Sequence, residues 1–172
     1  RVIIFLYIWW QYHGSPTRGK SLDALNEFSE FFRFDEHAHF TAFIVHIATL
    51  FDKRNDTVTL RKLENLILHK LDFDHKTKKE INALLQTTDA IAQKVLTLRH
   101  NAFAHRSNQY NYNKAFQLAK VSYDEFLTLT KQSAQILNLF LQVTKRGELV
   151  FFDLPKKDLE KMLLQLKPSS GE

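Results

Sequence analysis

The sequence predicts an all-α fold, and three observations carry that expectation. All 4 glycines and 3 prolines stand near the two ends of the chain, and the 127 residues from 20 to 146 contain neither. Hairpin turns, β-bulges and phosphate-cradling loops lean on these residues, because only glycine reaches positive φ at little cost and proline pre-sets a turn. Within that span the apolar residues recur at i, i+3, i+4 and i+7, the spacing of one face of a helix. Ser122 followed by Glu125 completes a capping-box pattern, a sequence-level mark of a helix start. The expected architecture is a single-domain bundle of about six helices. It divides into an N-terminal apolar helix and loop (1–20), a core bundle (21–146), and a C-terminal helix and tail (147–172).

The elements follow in order. Residues 2–10, VIIFLYIWW, are uniformly apolar but far short of the roughly 20 needed to span a bilayer. Arg1 is the only basic flank and no small-residue cleavage site follows, so a buried helix is expected rather than a signal peptide or a membrane span. Residues 13–20, HGSPTRGK, read as a loop. Leu22, Leu25, Phe28, Phe31 and Phe32 mark a helix expected to break near Asp35, and Phe40, Phe43, Ile44, Ile47, Leu50 and Phe51 mark the next. These phenylalanines are expected to pack in the core. Residues 52–56, DKRND, form a polar connection. Thr57 or Thr59 then caps a helix through Leu60, Leu63, Leu66 and Ile67. A long segment from Lys76 to about Arg106 carries Ile81, Leu84, Leu85, Ile91, Val95 and Leu98 on one stripe. Residues 107–113 read as a loop, the Ser122 helix runs towards Gly147, and Pro155 opens a last helix through Leu164. Residues 149–152 are too few to assign.

Composition narrows the function classes. With 44% apolar and 25% charged residues in 172, this is ordinary globular material for one domain. The absence of cysteine excludes disulfides, thiolate nucleophiles, iron–sulfur clusters and cysteine-based zinc sites, and fits a reducing, cytoplasmic setting. Without glycine-rich loops there is neither a dinucleotide fingerprint nor a Walker loop. His37 and His39, two apart, point to different sides of a helix and make poor joint ligands, so neither a metal site nor a cofactor is expected. Asp72, Asp74 and His75 are expected to cap or solvate a helix junction.

The net charge of +5 is unevenly placed. From residue 90 to residue 123 there is no Asp or Glu, and the same stretch holds Lys94, Arg99, Arg106, Lys114 and Lys120. The remainder carries 19 basic and 19 acidic residues, so the whole excess sits in this window. Such a surface attracts polyanions. Tyr110 and Tyr112 beside it offer faces on which unpaired bases stack. RNA is the partner this combination suggests, with Lys94, Arg106, Tyr110, Tyr112, Lys114 and Lys120 as the contact residues.

The densest functional cluster lies inside the window, in residues 98–106, LRHNAFAHR. Cleaving RNA without a metal needs a base for the 2′-OH, an acid for the leaving 5′-oxygen, and a charge to steady the phosphorane. Imidazole serves either proton role because its unperturbed pKa, about 6.5, lies near working pH. Guanidinium supplies a fixed charge in a fork that fits phosphate oxygens. Arg99 and His105 are six apart, about 120° around an ideal helix, whereas Asn101 and His105 at i and i+4 share a face. Either the helix is distorted here or a second protomer completes the site. A symmetric dimer also answers the shortage of one imidazole per site. A second Arg-x5-His match, Arg33 to His39, encloses Asp35 and Glu36, which repel phosphate, and is read as a decoy.

The LRHNAFAHR segment resembles the signature of the HEPN superfamily, an Arg, a polar residue and a His four to six residues after the Arg. Its Ala-His ending and preceding Leu resemble the abortive-infection, AbiU-like branch, as do Leu50-Phe51-Asp52 and Val58-Thr59-Leu60. His100 stands where Asn or Asp is commoner, and Asn101 where Lys is common. The resemblance implies an all-α bundle that dimerises through its motif helices and acts as a metal-independent endoribonuclease of bacterial defence or a toxin–antitoxin system. It implies Arg99 and His105 as the catalytic pair, His100 as their polar companion, and products ending in a 2′,3′-cyclic phosphate. Asn101 joins them on the helical geometry alone. In some relatives a Tyr two residues past the motif His is modified by a partner enzyme; Ser107 occupies that place here. The competing expectation is a non-catalytic helical module that binds RNA, a nucleotide or a partner protein such as an antitoxin.

Overall fold

The computed structural model describes residues 1–54, 56–70, 74–104, 112–149 and 154–166, with backbone alone at 67–70, 104, 112 and 113. Among these residues there are eight α-helices and no strand. The helices are α1 (Val2–His13), α2 (Leu22–Glu27), α3 (Ser29–Thr49), α4 (Leu60–Lys70), α5 (His75–Leu98), α6 (Tyr112–Ala119), α7 (Tyr123–Val143) and α8 (Leu154–Gln165). A 3₁₀ turn, Arg18–Ser21, occupies the end of the expected first loop, and a π-helical turn, Arg99–Ala104, continues α5. The all-α expectation holds, with two more helices than the six anticipated. None of the described helices is long and apolar enough to cross a membrane.

The chain forms two compact units, residues 1–43 with 151–172, and residues 44–150. In the first, Tyr12 of α1, Leu25 of α2, Phe32 of α3, and Leu159 and Leu163 of α8 make one buried cluster. α1 turns Ile3, Leu6, Trp9 and Tyr12 inward, as its i, i+3 spacing requires. Gly14 ends it closely against Trp10: a Cβ there would lie 2.4 Å from the indole ring. The helix break falls at Phe28, not Asp35. Asp35 is held inside α3, where its carboxylate accepts the Tyr12 hydroxyl at 2.8 Å and lies 3.2 Å from the His39 imidazole. Burial, and then the neighbouring Asp35 carboxylate, push the Tyr12 hydroxyl pKa well above its usual value. Phe32, Phe40 and Phe43 are buried, but Phe28 and Phe31 are exposed, contrary to their expected packing. The break at Phe28 separates the two parts of the apolar stripe, and α3 turns only one side of its Phe-rich first turns inward.

The second unit is built on α5 and α7. The core face of α5, Ile81, Leu85, Thr88, Ala92, Val95 and Leu98, keeps 3–4 spacing throughout. It packs against α7, whose Phe126, Leu129, Ile136 and Phe140 are buried in turn. α6, which the sequence pattern left unassigned, also packs on α5 and buries Ala115 and Ala119 one turn apart. Asp74 starts α5 by accepting the Thr77 N–H at 2.9 Å, and Thr59 starts α4 by accepting the Lys62 N–H at 3.3 Å. Leu66, expected on the core stripe of α4, is exposed.

Both ends of α7 are specified locally. Ser122 Oγ accepts the Glu125 N–H at 3.2 Å while Glu125 Oε2 accepts the Ser122 N–H at 2.9 Å, a complete capping box. Ser122→Ala is expected to cost about 1 kcal/mol in urea denaturation; an unchanged midpoint would contradict the cap. At the other end the Lys145 N–H reaches the Gln142 carbonyl at 3.0 Å and the Arg146 N–H reaches that of Leu141 at 2.9 Å, the paired bonds of a Schellman stop. That motif puts Lys145 at φ +55, a conformation suited to glycine. Lys145→Gly is therefore expected to raise stability by about 0.5–1 kcal/mol, strain relief outweighing the added freedom of the unfolded chain. A lower thermal midpoint would refute this.

Candidate functional site

The position of Arg99 follows from the register of α5. Leu98 closes the core face and is fully buried. Arg99 is one residue, about 100°, around the helix and so comes out at the margin of that face, with its side chain 24% exposed. His100, a further step round, is exposed. At Arg99 the α-helical winding gives way to the π-helical turn that runs to Ala104. Such wide turns are rare and recur at functional sites. The Asn101 amide donates to the Thr97 carbonyl at 2.8 Å, bracing the change of winding.

The partner of Arg99 comes from the connection between α3 and α4. Leu50 and Phe51 tighten the end of α3 with bonds back to Ile47 and Ala48, and Phe51 is buried. Phe51 thus anchors the next residue, Asp52, whose side chain is only 9% exposed. Arg99 Nη1 donates to Asp52 Oδ2 at 3.1 Å. Asp52 also accepts the Arg54 N–H at 3.1 Å on Oδ1 and Arg54 Nε at 3.0 Å on Oδ2. These bonds, the Arg54 N–H foremost, outweigh partial burial and hold the Asp52 pKa below the usual carboxylate value. The connection is itself clasped. Leu60 N–H reaches the Leu50 carbonyl at 3.0 Å, and Lys62 Nζ reaches the carbonyls of Arg54 and Thr57 at 2.6 and 2.9 Å.

Asp52, Lys53, Arg54, Gln93, Leu96, Thr97, Arg99, His100 and Asn101 line an open cleft of about 650 Å³. Three of the four expected catalytic residues, Arg99, His100 and Asn101, therefore share one wall. His105 lies outside the described residues, as do Arg106 and Tyr110, and of Tyr112 only its place at the start of α6 is described. Lys114 and Lys120 are exposed on and just after α6. Lys94 is instead bound to Glu125 of α7 at 2.5 Å, which leaves its charge largely compensated. The decoy pair is also occupied: Arg33 lies 2.7 Å from Glu30, and His39 is held by Asp35.

The arrangement offers a guanidinium fixed by a largely, not fully, buried carboxylate at the edge of a polar, solvent-open cleft. That geometry suits recognition of a phosphodiester, because a held fork loses little freedom when a phosphate docks. The acid-free stretch of sequence is not acid-free in space, since Asp52 and Glu125 reach into it from outside. Reasoning from the sequence left Asp52, Lys53 and Arg54 as a polar connection. The one signal pointing to them was the likeness of Leu50-Phe51-Asp52 to the AbiU-like branch.

Among curated proteins and among solved structures, none matches this chain. The family model HEPN_AbiU2, described as AbiU2, matches residues 1–162. The chain thus belongs to the AbiU2 family of the HEPN superfamily.

Proposed function

We propose that this protein is a metal-independent endoribonuclease of a bacterial defence or toxin–antitoxin system, with a composite active site at a homodimer interface. The observation that carries the reading is Arg99, fixed by Asp52 on the wall of the cleft beside His100 and Asn101. Arg99 steadies the charge that develops on the phosphorane. His105 moves the proton between the 2′-OH and the leaving 5′-oxygen, and His100 is the polar companion. A second copy supplies the second imidazole. Family membership over most of the chain supports this assignment.

The test is incubation of single-stranded RNA with the protein in EDTA. Wild type is expected to cleave and His105→Ala to lose cleavage; full activity in His105→Ala would remove the site assignment. Light scattering at micromolar concentration is expected to show a dimer, and a monomer that still cleaves would remove the composite site.

One observation favours a second reading, a non-catalytic module binding RNA, a nucleotide or a partner protein. The Asn101 amide is committed to the helix rather than to the cleft. Under that reading no preparation cleaves RNA, and wild type and His105→Ala are equally harmless when expressed in cells.

A further inference from the structure

Resting on the ribonuclease reading, we propose that Arg54 and Lys53 form a second phosphate subsite, which holds the RNA phosphodiester next to the scissile one. Asp52 joins this subsite to the first. Its Oδ2 accepts from both Arg99 Nη1, at 3.1 Å, and Arg54 Nε, at 3.0 Å, so one carboxylate clasps two guanidiniums side by side. A guanidinium carries five N–H donors, and each of these uses only a small part of its set on Asp52. Two cations against one anion leave the pair net positive, and exposed Lys53 adds a further charge on the same wall. The Arg54 side chain is 58% exposed, open to a ligand although its base is held.

The direction of the RNA follows from the shape of the surface. A second cleft, of about 500 Å³, shares Asp52, Lys53 and Gln93 with the first and is lined further along by Arg61 and Lys62. Arg61 is already tied to Asp89 at 2.5 Å, and Lys62 to the carbonyls of the connection. Lys53 thus stands at the junction of the two clefts, with exposed Arg54 beside it on the wall of the first. An extended strand leaving the Arg99 position crosses that junction with its backbone against them. The subsite reads no base and so gives affinity and register rather than sequence preference.

The experiment measures binding of a 2′-O-methyl octanucleotide, which cannot be cleaved for want of a 2′-OH. Fluorescence anisotropy compares wild type, Lys53→Gln/Arg54→Gln, and Lys131→Gln as an exposed control on α7. The double variant is expected to bind about 5- to 20-fold more weakly in 0.1 M salt, with the slope of log K against log salt reduced by roughly one, and the control to match wild type. In cleavage, the double variant is expected to raise KM for an octanucleotide far more than for a dinucleotide, since a dinucleotide has only the scissile phosphate.

Wild-type affinity in the double variant overturns the subsite. So does an equal loss on the dinucleotide, which would put Arg54 at the scissile phosphate itself. Weakened binding by the variant, where wild type binds but cleaves no RNA, keeps the subsite and removes the ribonuclease reading. Failure of wild type to bind the octanucleotide removes both.

Discussion

Arg99→Ala is expected to lower RNA cleavage by about 10²–10³-fold in kcat, the usual effect of removing one preorganised donor from a developing oxyanion. The loss should fall on turnover more than on KM, because the phosphorane carries more charge than the ground-state phosphodiester. Arg99→Lys is expected to recover only a small part, since an ammonium keeps the charge but not the fork. Burial of Leu98, one residue earlier, and the Arg54 N–H bond to Asp52 do not involve the Arg99 side chain. The thermal midpoint should consequently move far less than the rate. A variant that unfolds in step with its loss of activity would make Arg99 a structural residue.

Asp52→Asn is the second large effect, and it acts through position rather than chemistry. Asparagine offers one acceptor oxygen and no charge where Asp52 now receives Arg99 and Arg54. Cleavage is expected to fall by roughly tenfold and stability by about 1–2 kcal/mol, as for charge-assisted bonds at a partly exposed site. The decisive readout is the double variant. In the Arg99→Ala background, Asp52→Asn should cost no further turnover of a dinucleotide while still costing stability, because the side chain it positions at the scissile phosphate is gone. Two fully additive losses of activity would contradict that role.

Acid has a signed consequence at the same place. The Asp52 pKa is lowered in the folded protein, so its contribution is complete above the ordinary carboxylate value of 3.8 and is lost as pH falls through the folded value. Glu125, lowered first by its bond to Lys94 and then by the Ser122 N–H, behaves in the same way from its ordinary 4.5. Between pH 5 and pH 3, wild type is expected to lose stability faster than Asp52→Asn, which lacks one of these groups. Parallel curves would argue against the linkage.

Much of the fold was legible because helices write their faces into spacing. The stripe through Ile81, Val95 and Leu98, the Ser122 box and the Thr59 cap all lie where local rules place them. The errors came where one pattern had two solutions. The phenylalanines from Phe28 to Phe43 read as core-facing on two helices divided near Asp35, yet the chain breaks at Phe28 and leaves Phe28 and Phe31 exposed. Asp35 looked like a helix breaker because its partner, Tyr12, is 23 residues away.

The candidate site divides in the same way. Arg99, His100 and Asn101 were visible as a cluster along the chain. The residue that fixes Arg99, Asp52, is 47 positions away and could be found only through packing or family likeness. For the same reason the acid-free window overstated Lys94, whose counter-charge enters from α7 two residues past its edge.

The most direct measurement is the chemistry of the product ends after incubating RNA with the wild-type protein in EDTA. Fragments carrying 2′,3′-cyclic phosphate and 5′-hydroxyl ends, absent with Arg99→Ala and with His105→Ala, are the expected result. Intact RNA with wild type, or the same fragments from both variants, would contradict the proposed site.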